Sequence, residues 1–221
     1  VRTHLDLDGW YEVLAPEDTD VWVNGVLLAP EEADTTLAPA YAGLPETVSG
    51  PQMTLYRVTG VLGEPDVTAE SENGRCAVEQ SDPEEGEDAP LGVYTVLLKP
   101  DEKTAETYKS LAQQAAETYA TFISRDTDRS VMLAQLIYGS EFQKRVASYN
   151  NIWYAEHTSH EFEDMEITEL LCYGENAFTC HVTFTYKVSR SGGREYEYPS
   201  QYDMAFLKTG GRWKLADLVT Q

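Results

Sequence analysis

The sequence predicts an α+β fold in two parts: a small β-rich domain over residues 1–99, then helices packed on a curved antiparallel sheet over residues 100–221. Three observations carry this. Short apolar runs broken by Asn-Gly, Gly and Pro fill the first part, as strands and tight turns require. A helical stripe opens the second, and a period-two alternation closes it. Charge divides in the same place: residues 1–100 carry 20 acids against 4 Lys/Arg, and residues 101–221 carry 18 against 12. Such asymmetry marks two units with different surfaces.

Trp10–Leu14 reads as a strand stopped by Pro16. Val21-Trp22-Val23, Asn24-Gly25 and Val26-Leu27-Leu28 read as a hairpin, because Asn-Gly tolerates the positive φ of a two-residue turn. A second hairpin is expected around Asn73-Gly74, joining Val67–Glu70 to Arg75–Val78. Thr54–Val61 and Val93–Leu98 complete the strands. Pro30–Pro51, with four prolines, and the acidic stretch Ser81–Pro90 read as loops. The latter lacks the alternating ligand spacing of an EF-hand and is expected to be a solvated loop rather than a cation site.

Pro100-Asp101 opens a long helix whose apolar or small residues fall at 105, 108, 111, 112, 115, 119, 122 and 123. That is one buried helical face. Asp126-Thr127-Asp128 breaks it and caps a second helix over Val131–Ile137, which Gly139 is placed to end. Ser140-Glu141-Phe142-Gln143 has the form of a capping box and starts a third helix reaching about Tyr149. Four strands follow. Phe162–Tyr173 is the first. In the second, Phe178, Cys180, Val182, Phe184, Tyr186 and Val188 alternate with polar residues. The third holds Tyr196, Tyr198, Tyr202, Met204 and Phe206, with Pro199 at a bulge or an edge. Trp213–Val219 closes the sheet after Gly210-Gly211.

Composition narrows the function classes. Apolar residues make up 42% and charged residues 24%, a globular balance. The net charge of −22 opposes nucleic-acid and anionic-membrane binding. No apolar run approaches the ~20 residues of a membrane-spanning helix, so direct insertion by this segment is not expected. No Walker or Rossmann phosphate loop, Gly-x-Ser-x-Gly or His-Glu-x-x-His occurs. Cys172 and Cys180 flank the Gly174 turn, but their parity places them on opposite faces, which speaks against a disulfide.

Candidate chemistry is sparse. His157-Thr158-Ser159-His160 spaces two imidazoles as one metal would need, and a carboxylate could complete the shell. The segment enters a strand with no Cys or third His nearby in sequence, so the reading settles on a polar loop, with no metal and no cofactor. Asp203 is a carboxylate among the tyrosines Tyr186, Tyr196, Tyr198 and Tyr202, but its parity sets it on the other sheet face from Tyr202 and Met204. Asp217 shares parity with Trp213 and Leu215.

Two resemblances add to this. Leu14–Gly25, with Pro16-Glu17-Asp18 followed by a strand and Asn24-Gly25, resembles the opening of PEGA-like β-domains, spacer or docking units of bacterial envelope proteins. Residues 101–221, by element order, the short helix after Gly139-Ser140, and the ending Phe206–Leu215 with its Gly-Gly hairpin and Trp213, resemble the nuclear transport factor 2-like superfamily. That resemblance implies a cone-like domain with a cavity between helices and sheet. Comparable cones occur in teicoplanin-resistance-associated membrane proteins and in the N-terminal domain of certain penicillin-binding proteins of Gram-positive bacteria. Catalytic relatives such as ketosteroid isomerases place a carboxylate and a hydrogen-bond donor inside the cone. The expected pocket-lining residues are Trp153, Tyr154, His157, His160, Tyr186 and Tyr202. The resemblances together imply a non-enzymatic extracytoplasmic scaffold, sensor or partner-binding portion of an envelope protein. Its partner would be an unidentified protein or envelope component, and a homodimer is compatible with the fold. An isomerase-type or small-molecule-binding cone is the alternative. Because the chain starts at Val1 rather than Met, an N-terminal anchor upstream is expected.

Overall fold

The computed structural model describes residues 9–83, 86, 89–150 and 156–221. Trp153 and Tyr154, and residues 84, 85, 87 and 88 of the acidic stretch, lie outside them. Among the described residues the fold is mixed α+β, with three α-helices and mainly antiparallel sheets. The chain divides into two compact units. One gathers residues up to Ala38, Pro51–Asp101 and Cys172–Glu175; the other gathers Pro39–Gly50, Glu102–Leu171 and Asn176–Gln221.

Among its described residues the first unit has strands and one short 3-10 turn, Pro30–Glu32, and no α-helix. Its strands are β1 (Trp10–Pro16), β2 (Asp20–Val23), β3 (Val26–Leu27), β4 (Asp34–Leu37), β5 (Gln52–Thr59), β6 (Val67–Glu70), β7 (Arg75–Ser81) and β8 (Val93–Lys99). They form a five-stranded sheet in the order β4-β5-β1-β8-β7 and a three-stranded sheet in the order β3-β2-β6. One core spans both, built on Val13, Ala15, Val21, Val23, Tyr56, Val58, Tyr94 and Val96. Alternation supplies the inward residues of β1, β5 and β8. Asn24 (φ 50°) and Gly25 (φ 77°) make the tight turn between β2 and β3, with Val23 facing Val26 across it.

The second expected hairpin is not formed. Only a single bridge joins Ser71 to Gly74. β6 then pairs with β2, whereas β7 pairs with β8. The Asn-Gly signal marked a real reversal but not the strands' partners, which are chosen by burial. Gly74 serves another purpose. A Cβ there would lie 2.4 Å from the Lys99 carbonyl oxygen, so only glycine admits this close backbone approach. Within Pro30–Pro51, β4 adds an edge strand to β5 that the prolines concealed.

The second unit packs α1 (Glu102–Ser124), α2 (Arg129–Gln135) and α3 (Glu141–Ser148) with β9 (Ser159–Cys172), β10 (Ala177–Arg190), β11 (Arg194–Thr209) and β12 (Arg212–Thr220), in the sheet order β12-β11-β10-β9. α1 buries Tyr108, Ala112, Ala115, Ala116, Ala120 and Phe122, the small residues admitting the sheet closely. Its centre is an aromatic stack. Phe178 lies between Tyr108 (centroids 3.9 Å) and Phe206 (4.5 Å), with Trp213 edge-on at 5.2 Å. Tyr41, from the short 3-10 turn Pro39–Tyr41, is buried in the same unit and donates its hydroxyl to the carbonyls of Phe178 (3.0 Å) and Phe206 (3.1 Å).

Three local expectations are corrected or refined. α2 ends at Gln135 rather than at Gly139, because Leu136 bridges Leu215 and the Ile137 amide donates to the Leu215 carbonyl. Tertiary pairing thus takes over the last turn. Pro199 keeps register opposite Thr185 and sits at an edge, since β12 first meets β11 at Tyr202. The register shift falls instead at Ala205/Phe206, where Asp217 and Leu215 are the partners. Ala216 is the extra residue, so Leu218 rather than Asp217 follows Leu215 into the core. Asp217 pairs with Arg145 at 2.8 Å. Both caps are as expected: Asp128 accepts from the Ser130 amide, and Ser140 from the Gln143 amide. At the edge of the sheet, β9 holds two left-handed residues, Asp164 (φ 52°) and Glu169 (φ 50°).

Cys76, Cys172 and Cys180 are free thiols. The Cys172 thiol donates to the Leu98 carbonyl at 3.3 Å. Burial pushes Cys172 up to about 11 and Cys180 up to about 12. Because the thiolate is the reactive form, Ellman's reagent at pH 8 should leave both unmodified in the native chain. Unfolded without reductant, the chain should titrate all three thiols. A count of one would show that two of the three are joined in a disulfide instead.

Candidate functional site

The polar convergence of the second unit is set by how α1 ends. Arg125 takes a left-handed conformation (φ 70°), and the amides of Asp126 and Thr127 turn back onto the Thr121 carbonyl at 2.9 and 3.1 Å. This satisfies one of the carbonyls a helix end would leave bare and fixes the backbone at Asp126. On the facing segment, Thr158 is pinned to the Ser189 carbonyl by its amide (2.7 Å) and its hydroxyl (3.1 Å). That places His157 and His160 on either side of it.

Four groups meet one oxygen, Asp126 Oδ2. Ser124 Oγ donates to it at 2.6 Å and the Tyr186 hydroxyl at 3.2 Å; His157 Nε2 lies at 3.0 Å and His160 Nδ1 at 3.5 Å. Ser124 and Tyr186 are joined at 2.8 Å. The His157 side chain is 4% exposed, and that of His160 is 32% exposed. Partial burial by itself would raise the Asp126 carboxyl. The Ser124 hydrogen bond and the two imidazoles outweigh it and hold the group below the usual carboxylate value.

Tyr186 is also a wall of a cavity of about 230 Å³, lined by Ala120, Ile123, Tyr186, Tyr198, Ser200 and Tyr202. α1 supplies the apolar side; β10 and β11 supply the hydroxyls, with Tyr186 and Tyr198 directly opposite across the two strands. Burial pushes the Tyr186 phenol up to about 12 and raises Tyr202 as well. Both are therefore neutral near pH 7. Among the described residues the lining holds no carboxylate, imidazole or thiol. A larger open cleft of about 550 Å³ between α1 and β9 is lined by Glu106, Lys109, Gln113, Met165, Glu166 and Ile167 among others, and none of the described lining residues is buried.

Of the residues expected to line a pocket, Tyr186 and Tyr202 do so, and His157 and His160 stand behind Tyr186 at Asp126. Trp153 and Tyr154 lie outside the described residues. Asp203 is on the other sheet face, as its parity requires; its carboxylate meets His181 Nδ1 at 2.7 Å and the Gln221 amide. Tyr196 is exposed beneath the Arg190 guanidinium. The sequence reading missed Ser124 and Asp126. Asp126 carried the signal of a helix breaker, and its distance of 31 residues from His157 has no local signature. Comparison with protein-family models, curated proteins and solved structures found no match to this chain.

Proposed function

We propose that the chain is the non-enzymatic binding portion of an extracytoplasmic bacterial envelope protein. In this reading the second unit is a nuclear transport factor 2-like cone, and it takes a small neutral ring-shaped ligand. The carrying observation is the 230 Å³ cavity with three tyrosines and Ser200 on its walls. Aromatic faces and neutral hydroxyls in a concave site suit a ligand with a flat apolar face and hydrogen-bonding edges. The net charge of −22 disfavours an anion. The lining offers no free base among the described residues, which favours binding over proton transfer. The PEGA-like start is supported by the strand, the Asp18 turn and the Asn24-Gly25 hairpin it forms. A spacer role for the first unit, an envelope partner and an upstream anchor belong to the same proposal.

One observation favours an isomerase-type enzyme instead: the Tyr186 hydroxyl links the cavity wall to the Asp126 carboxylate. A single titration separates the readings. Neutral ring fragments, saccharides included, are titrated while the resonances of Tyr186, Tyr198 and Tyr202 are followed. Binding fragments should shift these signals and emerge unchanged. Ser200→Leu and Ala120→Leu, each filling the cavity, should weaken binding roughly tenfold or more, as the loss of about 1.4 kcal/mol requires. Fragments that bind the filled variants equally well would overturn the cavity assignment, and turnover of a bound fragment would replace the binding reading with the enzymatic one.

A further inference from the structure

Asp126, His157 and His160 come from two separate segments, the α1–α2 turn and the approach to β9, and bring one ligand atom each to within 4.8 Å of one another. His157 Nε2 and His160 Nδ1 stand 3.0 and 3.5 Å from the same carboxylate oxygen. An ion with bonds of about 2.0–2.1 Å spaces neighbouring donors ~2.9 Å apart in octahedral and ~3.4 Å apart in tetrahedral geometry. The His157 spacing lies within that range and the His160 spacing just above it.

The hydrogen bonding around Asp126 points the same way. A carboxylate oxygen has two lone pairs, yet Ser124, Tyr186 and His157 all crowd Oδ2, with His160 just beyond. A cation bound by the imidazole lone pairs would relieve that competition. Ser124 and Tyr186 would then hold the carboxylate from behind, as the outer partners of metal-bound carboxylates do. His157 is almost wholly buried and His160 about two-thirds so, which gives one fixed ligand and one side open to entry.

We propose that Asp126, His157 and His160 bind one divalent transition-metal ion of the Zn²⁺ class, leaving at least one coordination position open. Two imidazoles and a carboxylate favour Zn²⁺ and its neighbours over Mg²⁺ or Ca²⁺, which prefer all-oxygen shells. None of the three residues lines the ligand cavity, although Tyr186, which holds Asp126, is shared between the two.

The test is equilibrium dialysis of the full chain against Zn²⁺ in a non-chelating buffer. One Zn²⁺ per chain is expected, undisturbed by a large excess of Mg²⁺. His160→Ala should weaken uptake roughly tenfold or more, as Asp126→Asn should. His181→Ala, whose imidazole faces Asp203, should bind as the native chain does. Co²⁺ loading gives a second readout, because visible absorption of the bound ion should change in His160→Ala. Far-UV circular dichroism checks that each variant is folded. Absence of Zn²⁺ uptake by the native chain, displacement by equimolar Mg²⁺, or uptake unchanged in folded His160→Ala and Asp126→Asn would each overturn the proposal.

Discussion

Phe178→Ala is expected to remove about 3–5 kcal/mol from the stability of the second unit. Phe178 is fully buried on β10, paired across the sheet with Phe206. Its ring is stacked between Phe206 and Tyr108 and met edge-on by Trp213. Alanine would forfeit the apolar burial and leave a hole between two parallel rings that cannot collapse without moving α1. Lost ring pairs add about 0.5–1.5 kcal/mol each beyond area. Against a total of 5–15 kcal/mol for an ordinary domain, this is a large fraction. Urea unfolding followed by tryptophan fluorescence measures it, as a lower midpoint at unchanged slope. Phe178→Leu, which keeps most of the volume, should retain the greater part. A loss below about 1 kcal/mol for alanine would mean that the stack is not the core it looks like.

Tyr41→Ala should cost nearly as much, about 3–5 kcal/mol by the same cavity argument, although Tyr41 stands far ahead of the rest of the second unit in sequence. Its ring is 1% exposed, and its hydroxyl satisfies the carbonyls of Phe178 and Phe206. Tyr41→Phe isolates the hydroxyl and should cost about 1–2 kcal/mol, because two buried acceptors lose a donor. Hydrogen exchange locates the effect. In Tyr41→Ala, amides of β10 and β11 should lose protection while those of β1 and β5 keep it. Equal loss in both sets would show that Tyr41 does not belong to the second unit's core, and a Tyr41→Phe variant as stable as the native chain would show that the hydroxyl contributes nothing.

These two residues also mark where sequence reasoning succeeded and where it stopped. Phe178 was legible because strict alternation through Phe178, Cys180, Val182 and Phe184 puts one face inside, whatever the partner strands are. The α1 stripe, the Asn24-Gly25 turn and the caps at Asp128 and Ser140 were legible for similar reasons: each is a local rule. Tyr41 was not. Prolines on both sides announce turns, and turn chemistry does not say against which unit a ring is buried. The Asn73-Gly74 reversal, the early end of α2 and the bulge at Ala216 depend on long-range pairing in the same way. At the candidate site, Tyr186, Tyr202, His157 and His160 stood out by residue type, whereas Asp126 and Ser124 acquire their significance only when the end of α1 reaches β9.

The left-handed residues of β9 have a further consequence. Among the described residues β9 is an edge strand of the sheet, and an edge exposes backbone groups to which another chain can add. Here that edge carries Glu161, Glu163, Asp164, Glu166 and Glu169, and is twice broken in its extended path at Asp164 and Glu169. A second copy approaching it would meet like charge and a backbone that does not offer a straight ladder. The strand therefore resists fibre-like growth at high local concentration, such as many copies crowded on one surface would create, while its inner side chains Phe162 and His160 still pack against Tyr186.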